Sequence, residues 1–398
     1  MTEPDRTEAP IVIVGAGLAG LRCARELSAH GRNVRLLEAS DGVGGRVRTD
    51  RVDGFLLDRG FQVILTAYPR LSAAVDLGSL DLRRFEPGAL VLRGGRRHRL
   101  VDPFRRPSRV LRAVFGGLGG LLDKARVGRL RLDCLRGESD ALFARSDRST
   151  LEALRARGFG SELLDGFFRP FLGGILLDRD LGTSSRFFEF VFRMLSLGDT
   201  AVPARGMQAL PEAMAAELPD GCLSTGVAVR AVEDGGRALV LEDGTRLDAA
   251  ATVLAVDGPS AVELCPQESR DELGPPPDSR SVTCLYFDAP TSPAGRHLVS
   301  VTVLGHRDEP DLERRVRAEL TSWFGAEVAD WRHLRSYAIH HAQPAQPPGT
   351  IEPLEREPRL AEHLFVCGDH RVHASLEGAV RSGERAAAAV LASLPATS

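Results

Sequence analysis

A glycine-rich run near the start of the chain has the spacing of a dinucleotide-binding turn. It follows an apolar tetrapeptide, Ile11–Val14, which is typical of a buried parallel strand, and it opens a stretch with apolar residues at helical spacing. A helix that begins here offers free N–H groups and partial positive charge to phosphates. The glycines allow a tight turn, close approach of the backbone to a pyrophosphate, and close packing of helix on strand. The predicted contacts are Gly15, Gly17, Leu18, Ala19 and Gly20.

An acidic residue ends the next predicted strand. Glu38 lies eighteen residues beyond Gly20, at the distance expected within a strand–helix–strand unit. Its carboxylate can accept hydrogen bonds from ribose hydroxyls and would repel a 2′-phosphate. We therefore predict that Glu38 and the adjacent Ala39 contact the ribose of a dinucleotide without a 2′-phosphate.

Two further motifs favour FAD over NAD. Gly44, Gly45 and Arg46 supply a second glycine pair and a guanidinium that reach a phosphate from the other side. Near the C-terminal end, Gly368 and Asp369 follow an apolar strand pattern and precede a helix that begins with small residues. An acid there can bind ribityl hydroxyls, and the start of the helix can bind the second phosphate and the edge of a flavin.

These motifs, in this order, resemble the superfamily of FAD-dependent amine oxidases, protoporphyrinogen oxidases and phytoene desaturases. The resemblance includes the segment Leu57–Gln62 and the strand Val229–Val232, which lies beside the adenine in the superfamily. It implies FAD as the cofactor, and no covalent link is predicted, because Cys367 lies at the turn on the pyrophosphate side and not beside the flavin ring. It also implies further cofactor contacts from Gly60, Phe61, Gln62, Val229, Glu377, Gly378 and Ala379.

The chain departs from the superfamily pattern at three places. Gly42 stands where members often have an arginine, and Cys367 stands where a small residue is usual. The lysine that many members hold near the flavin has no counterpart in residues 281–350, and the one lysine of the chain is Lys124. The missing lysine argues against an amine oxidase in particular.

The sequence contains a single dinucleotide motif. Another glycine run, Gly116–Gly120, lacks a preceding strand and a terminal acid, so no bound nicotinamide is predicted. Electrons would then pass to oxygen, a quinone or another acceptor, or return to the substrate.

Phenylalanines are concentrated between residues 167 and 192, within a stretch of helical periodicity. They form either a lipophilic substrate tunnel or ordinary core packing, and both interpretations stay open. The segment Phe168–Thr183 is similar to a stretch of the desaturase-like members, which favours an apolar substrate. The residues concerned are Phe167, Phe168, Phe171, Phe187, Phe188, Phe190 and Phe192.

His340 and His341 are the candidate catalytic residues, because in the superfamily this stretch approaches the substrate face of the flavin. An imidazole there could shuttle a proton or anchor a polar group near neutral pH. The alternative is a pair of loop histidines bonded to the backbone. His370 and His373 flank the Gly-Asp turn, but no spacing among the four matches a metal site.

Residues 93–131 contain twelve basic residues and two acids, interspersed with apolar side chains. One interpretation is a helix pair that rests on an anionic membrane surface. The other is a solvated arginine face on an amphipathic helix. Peripheral contact with the inner membrane face is therefore one of two expectations for this segment.

Length and composition predict two globular domains, and the motifs with the superfamily resemblance imply an α/β fold. The 398 residues are 43% hydrophobic and 26% charged, which excludes collagen, coiled coil and wholesale disorder. We predict a Rossmann-like FAD-binding domain in discontinuous segments and an α+β substrate domain, in an architecture of the amine-oxidase and glutathione-reductase type. The FAD-binding segments are 10–70, 203–280 and 351–398, the substrate segments are 71–202 and 281–350, and residues 1–9 are a disordered tail.

The polar N-terminus resembles neither a signal nor a transit peptide. The six cysteines are scattered, without a zinc or dithiol pattern, so a reducing cytoplasm is expected. The net charge of −3 gives no indication of a nucleic-acid partner.

The sequence thus predicts an FAD-dependent oxidoreductase that removes hydride from a hydrophobic small molecule. Within the superfamily, phytoene desaturase-like chemistry on isoprenoids or carotenoids is favoured. One alternative is a flavin amine oxidase that produces imine and hydrogen peroxide, which the C-terminal run Leu376–Ala387 resembles closely. Another is a redox-neutral flavin-dependent isomerase or a non-catalytic flavin-binding protein.

Overall fold

A computed structural model describes residues 9–93, 95–101, 120–290, 295–305 and 309–394. Residues 1–8 of the predicted tail lie outside the described residues. So does 102–119, which holds much of the basic segment and most of the glycine run at 116–120. No helix in the described part of the chain is long and apolar enough to cross a membrane.

The described residues form strands in several sheets, and β15 and β17 are the longest of them. In chain order they are β1 (Ile11–Val14), β2 (Val34–Glu38), β3 (Thr49–Val52), β4 (Phe55–Asp58), β5 (Ile64–Leu65), β6 (Leu82–Arg84), β7 (Gly88–Arg93), β8 (Arg96–Val101), β9 (Thr200–Pro203), β10 (Leu223–Thr225), β11 (Val229–Glu233), β12 (Ala238–Leu241), β13 (Arg246–Asp248), β14 (Ala251–Leu254), β15 (Ser279–Pro290), β16 (Arg296–Leu304), β17 (Arg332–Pro344) and β18 (Leu364–Val366).

The helices alternate with these strands. In chain order they are α1 (Leu18–Ala29), α2 (Pro69–Ala74), α3 (Leu121–Leu135), α4 (Thr150–Ala156), α5 (Ser161–Leu163), α6 (Arg169–Leu176), α7 (Ser185–Leu197), α8 (Ala209–Ala215), α9 (Gly258–Leu264), α10 (Arg270–Leu273), α11 (Leu312–Phe324) and α12 (Leu376–Ser393). A π-helical turn, Leu164–Phe168, joins α5 to α6.

One part of the fold is built around a parallel sheet of five strands in the order β10-β2-β1-β14-β18, which come from distant parts of the chain. Its register pairs Ile11 of β1 with Val34 of β2 and Ala251 of β14. Alternate residues of β1 enter two different cores. Ile11 and Ile13 pack towards α1, whereas their neighbours pack towards the small sheet β11-β12-β13. Burial on both faces explains why the strand is continuously apolar.

Glycines allow α1 and α12 to pack closely beside this sheet. A Cβ atom at Gly20 would lie 2.0 Å from the carbonyl oxygen of Gly15, and one at Gly383 would lie 2.2 Å from that of Ala19. An ion pair between Arg22 and Glu384, 2.7 Å apart, joins the two helices. The N-terminal and C-terminal motifs are therefore held against one another.

The other part of the fold consists of an antiparallel sheet and a group of helices. The sheet has the order β16-β15-β17, and α11 packs on one face through Leu312, Val316 and Leu320. Helices α3 and α7 pack together, and both share one hydrophobic core with α6. The α/β prediction, with a Rossmann-like sheet and an α+β second part, is confirmed. The division of the chain into two sets of segments stays a prediction.

Candidate active site

A cavity of about 1230 Å³ lies where the parallel sheet, the antiparallel sheet and the helices meet. Its walls contain residues from every predicted cofactor motif except the strand at 229–232. This volume exceeds the range of about 300–1,000 Å³ that is usual for a single small ligand. The cavity therefore has room for a dinucleotide together with a substrate.

Two glycine turns lie against each other at one end of the cavity. A Cβ atom built at Gly45 would lie 3.4 Å from the Cα of Gly17, whereas no described atom lies within 4 Å of a Cβ built at Gly17. Gly44 has a φ of +118°, and its Cβ would lie 2.2 Å from the carbonyl oxygen of Val47. The turns thus form a backbone-lined cradle that side chains would fill, as the approach of a pyrophosphate requires.

Three of the four other residues of the first motif border the cavity, and the fourth does not. Gly15, Leu18 and Ala19 border the cavity, while Gly20 packs behind it against Gly15.

Glu38 presents a buried carboxylate to the same end of the cavity. Its Oε2 accepts a hydrogen bond from the Ala16 amide (2.8 Å), and its Oε1 accepts from the amide (2.9 Å) and hydroxyl (2.7 Å) of Ser40. These bonds fix the carboxylate, whose remaining lone pairs can accept from ribose hydroxyls. The neighbouring Ala39 is exposed and lies outside the cavity lining.

Arg46 and Asp369 join the second glycine motif to the C-terminal motif. The Arg46 Nη2 atom lies 2.6 Å from Asp369 Oδ1, and Arg46 Nη1 donates to the carbonyl oxygen of Ala342 (3.1 Å). Burial lowers the pKa of Arg46, but the adjacent Asp369 carboxylate outweighs it, so the pKa is raised. Both side chains border the cavity, as does Gly368.

The segment after β4 contributes an unsatisfied acceptor. Gln62 donates through Nε2 to the carbonyl oxygens of Arg46 (2.7 Å) and Arg59 (3.3 Å). Its buried Oε1 has no partner among the described residues, although such groups are normally hydrogen-bonded. A donor on a bound group would satisfy it, so the cavity fits a polar cofactor here. Gly60, with a φ of +94°, turns the chain so that Phe61 and Gln62 border the cavity.

Ala379 borders the cavity. The two residues before it, Glu377 and Gly378, lie outside the cavity lining and hold the local structure together. The buried Glu377 carboxylate accepts hydrogen bonds from the amides of Arg70 and Leu71, each 2.9 Å long, at the start of α2. Burial raises the pKa of Glu377 above its usual value. A Cβ at Gly378 would lie 1.9 Å from the carbonyl oxygen of His373.

Val229 lies on β11 and packs against the core beneath the small sheet, outside the cavity lining. Direct contacts from Ala39, Val229, Glu377 and Gly378 to a cofactor are therefore not supported by this geometry.

The two candidate catalytic histidines do not reach the cavity. His340 and His341 are exposed on β17, and the Nδ1 of His341 lies 2.8 Å from the Ser279 hydroxyl. The next two residues, Ala342 and Gln343, do border the cavity. The geometry gives neither histidine a position from which it could exchange a proton with a bound substrate.

Two other histidines are buried behind the Gly-Asp turn. Burial lowers the pKa of His370 to about 4 and that of His373 to about 3. His373 lies among aromatic rings, with its centroid 4.7 Å from that of Phe190. Both imidazoles are therefore neutral near pH 7. No cluster of metal-ligating side chains occurs among the described residues.

Several cavity residues are not predicted from the sequence. Ser300 and Thr302 of β16 and Gln343 of β17 give the cavity a polar wall. Ser300 and Thr302 are two residues apart on one strand and so share a face, which is the only signal in the sequence that could have identified them.

Arg48 lies beside Gly42. Its buried guanidinium donates to the Gly42 carbonyl oxygen (3.0 Å) and would lie 3.5 Å from a Cβ atom at Gly42. It fills the space beside the glycine that departs from the superfamily pattern.

Three helices form the far wall of the cavity. Phe167 and Phe171, whose rings stack at 5.1 Å, and Phe187 and Phe192 border it. The other phenylalanines of the cluster are buried in the core, namely Phe168, Phe188 and Phe190. Phe187 belongs to both groups, because it borders the cavity and is 2% exposed within the core. The cluster thus serves both core packing and the cavity wall. Helix α3 completes this wall.

A family model described as "flavin containing amine oxidoreductase" matches residues 18–281 and 267–391 of the chain. The chain is 47% identical over 85 residues to putrescine oxidase from Kocuria rosea, which is 21% of this chain and 18% of that protein. It is 26% identical over 168 residues to protoporphyrinogen oxidase 2 from Arabidopsis thaliana, which is 41% of this chain and 32% of that protein. The matched stretches thus span less than a third of either relative.

A solved structure of putrescine oxidase bound to putrescine has a similar fold. It superposes with a TM-score of 0.69 at 19% identity, over 96% of this chain and 99% of that one.

Proposed function

The chain belongs to the flavin-containing amine oxidoreductase family, and on this premise we propose that it is an FAD-dependent enzyme that removes hydride from an extended apolar small molecule. The observation that carries the proposal is the wall of aromatic and aliphatic side chains from α6 and α7, opposite the cofactor motifs in one cavity. Isoprenoids and carotenoids, the substrates of phytoene desaturase-like chemistry, are the class we favour.

The chain's own residues bind and orient the two reactants. Glu38 would hold the ribose, the cradle at Gly17 and Gly45 would hold the pyrophosphate, and Asp369 would accept from ribityl hydroxyls. The Gln62 Oε1 atom would accept from a donor on the cofactor. When bound, FAD supplies a two-electron acceptor for hydride. The aromatic wall excludes water and fixes an apolar chain against this site, which is most of what such chemistry requires of a protein.

Oxygen or a quinone is the proposed final electron acceptor. One dinucleotide motif is present in the sequence, so no second bound nucleotide is predicted to take the electrons from the flavin.

Amine oxidation to an imine with release of hydrogen peroxide is the second candidate. It is favoured by the similarity to putrescine oxidase and by the carboxylates of Glu86 and Asp123, which border the cavity and could pair with an ammonium group. It is opposed by the absence of lysine from residues 281–350.

Anaerobic reduction of the purified protein tests the proposal. We expect flavin bands near about 370 and about 450 nm that are bleached by polyenes. Bleaching by amines, with peroxide on admitting air, would replace the proposal with the second candidate. Isomerised polyene without bleaching would indicate redox-neutral chemistry, and failure to bind FAD would overturn the cofactor assignment.

A further inference from the structure

Three side chains form a hydrogen-bonded chain at the cavity wall where α12 begins. Tyr68 and Ser375 border the cavity, and His373 is buried behind them with 1% of its surface exposed. The Ser375 Oγ atom lies 2.9 Å from His373 Nδ1 and accepts a hydrogen bond from the Gly378 amide (3.1 Å). The Tyr68 hydroxyl is hydrogen-bonded to Ser375 as well. We call these three residues the Tyr–Ser–His chain.

The surroundings of His373 indicate which of its ring nitrogens carries the hydrogen. The Nε2 atom is buried and has no hydrogen-bond partner among the described residues. The ring lies between phenylalanines, with its centroid 5.4 Å from that of Phe143 and 4.7 Å from that of Phe190. Buried N–H groups without a partner are rarer in proteins than buried acceptors without one. Because the imidazole is neutral, we assign its one hydrogen to Nδ1, which donates to Ser375.

This assignment fixes the direction of the remaining hydrogen bonds. A hydroxyl group accepts at most two hydrogen bonds and donates one. The Gly378 amide and the His373 Nδ1 use both lone pairs of Ser375. The Ser375 hydrogen is therefore donated to Tyr68, and the Tyr68 hydroxyl keeps its own hydrogen for an acceptor in the cavity. Burial, with the Glu377 carboxylate nearby, raises the pKa of Tyr68 above its usual value, so this hydrogen is present at neutral pH.

A carbonyl oxygen of bound FAD is the acceptor that suits this donor. Ser375 and Leu376 border the cavity at the start of α12, an 18-residue helix whose free N–H groups attract negative charge. The C-terminal motif predicts the edge of the flavin at this place. The flavin ring has carbonyl groups whose negative charge grows when the ring is reduced, whereas a hydrocarbon substrate has no acceptor.

We propose that Tyr68 donates a hydrogen bond to a carbonyl oxygen of the flavin, and that His373 is a positioning residue that directs this hydrogen through Ser375. Hydrogen bonds strengthen as the acceptor becomes more negative, so the donor binds reduced FAD more tightly than oxidised FAD. The Tyr–Ser–His chain therefore raises the reduction potential of the flavin. The proposal goes beyond the proposed function, because it holds for either class of substrate.

Equilibrium reduction of the FAD-loaded full chain by dithionite, against a redox dye of known potential, tests the proposal. Tyr68→Phe removes the hydroxyl and keeps the ring that stacks on Phe190, with centroids 6.0 Å apart. We expect this variant to weaken binding of reduced FAD about tenfold more than binding of oxidised FAD. For a two-electron couple this lowers the potential by about 30 mV.

Tyr286→Phe is the matched control. Tyr286 is also buried, and its hydroxyl donates to the Asp58 carbonyl oxygen (2.7 Å), outside the cavity lining. The substitution removes the same group from a site that does not border the cavity. The flavin of this variant should keep the wild-type potential.

Variants of His373 test its positioning role. His373→Phe removes the Nδ1 donor, so Ser375 can accept from Tyr68, whose hydrogen is then withdrawn from the cavity. The potential should fall as it does in Tyr68→Phe. The double variant should fall no further, because both substitutions act through one hydrogen bond. His373→Asn has an amide that can donate close to the position of Nδ1, so it should restore most of the potential.

An unchanged potential in Tyr68→Phe would overturn the proposal, and weaker substrate binding at that unchanged potential would assign the hydroxyl to the substrate instead. Additive falls in the double variant, or equal falls in the two tyrosine variants, would also overturn it. Dithionite reduces the flavin without substrate, so failure of the substrate panel and failure of this proposal are separate results.

Discussion

Two glycines of the first motif are expected to respond differently to substitution. Gly17 has an extended backbone, and no described atom lies near its missing side chain. Gly17→Val should therefore leave the unfolding free energy of the cofactor-free protein within about 1 kcal/mol of wild type, while its side chain occupies the pyrophosphate cradle and abolishes FAD binding. The ratio of flavin to protein absorbance measures this loss.

Gly20→Ala is the matched comparison. Its methyl group would lie 2.0 Å from the Gly15 carbonyl oxygen, so the backbone must shift, at a cost of about 1–3 kcal/mol of stability. Loss of stability in Gly17→Val, or full retention of FAD by it, would contradict the assignment of the cradle.

His373 should make the protein sensitive to acid. Its pKa is lowered to about 3 by burial, below the unfolded value of about 6.5. The unfolded chain therefore takes up a proton first as the pH falls, and stability is lost from about pH 6.5 downwards. His373→Phe, which suits the surrounding Phe143 and Phe190 rings, should reduce the loss of unfolding free energy between about pH 7.5 and about pH 5.5 by about 1.4 kcal/mol.

Urea unfolding at the two pH values measures this difference. His370, with a pKa of about 4, remains in both proteins and contributes equally. An unchanged pH dependence in the variant would show that His373 is already accessible to protons in the folded protein.

At the residue level, the sequence could predict the positions of groups that are held by nearby segments of the backbone. The glycine turns and Glu38 lie at the ends of strands that are adjacent in the chain, so spacing alone places them. Glu377 could not be placed in this way, because its partners, the amides of Arg70 and Leu71, are about 300 residues away and belong to the short helix α2, which no motif marks.

Helix α6 offers a test of how the far wall selects substrates. Gly174 borders the cavity, and no described atom lies within 4 Å of a Cβ built there. Gly174→Leu should keep the fold, because leucine has a higher helix propensity than glycine by up to about 1 kcal/mol. The new side chain should fill part of the cavity and weaken binding of long apolar substrates at least about tenfold, with shorter ones affected less.

Gly173→Ala controls for the change in helix propensity. Its methyl group would make an ordinary 3.5 Å contact with the Asp178 carbonyl oxygen, away from the cavity. Dissociation constants from flavin absorbance changes compare the two variants. Equal effects of both, or none from Gly174→Leu, would argue against α6 as the wall that contacts substrate.

The position of α2 is expected to depend on Glu377. Glu377→Ala removes the acceptor from two buried amides at the start of α2, which should lower the free energy of unfolding by about 1–3 kcal/mol. Because Glu377 lies outside the cavity lining, FAD should still bind to the folded variant. If instead the variant kept its stability and lost FAD, Glu377 would be a direct cofactor ligand as the resemblance implied.

Elements near the termini were more predictable than those between them. The stretch at helical spacing after the first glycine turn and the helix predicted after Gly368 and Asp369 are both present, as α1 and α12, because the start signals and the periodicity agree there. The long strands β15 to β17 have a weaker pattern of alternating apolar and polar residues. One face of their sheet packs against α11, and the other face borders the cavity and the β3–β4 hairpin, so neither face is uniformly polar. Along β17 the cavity begins only after the two histidines, at Ala342 and Gln343, and no sequence pattern marks that point.

Bound FAD should join parts of the molecule that are distant in sequence. The cavity residues come from 15–19, 44–47, 255–260 and 368–379 among others. A ligand held by all of them stabilises the folded state by about 2.7 kcal/mol at one hundred times its dissociation constant. Denaturant unfolding with and without added FAD should show this gain for the wild type and not for Gly17→Val. A gain in the variant would mean that FAD binds elsewhere.

The position of Lys124 has a practical consequence. The six cysteines are buried, and the single lysine side chain of the sequence borders the cavity. Reagents that acylate lysine therefore have one side chain to modify, and it reports directly on whether the cavity is filled. Immobilisation through that amine would attach the protein to the support by a side chain of the cavity wall. A sensor surface prepared in this way would hold the protein but block access of its ligands to the cavity.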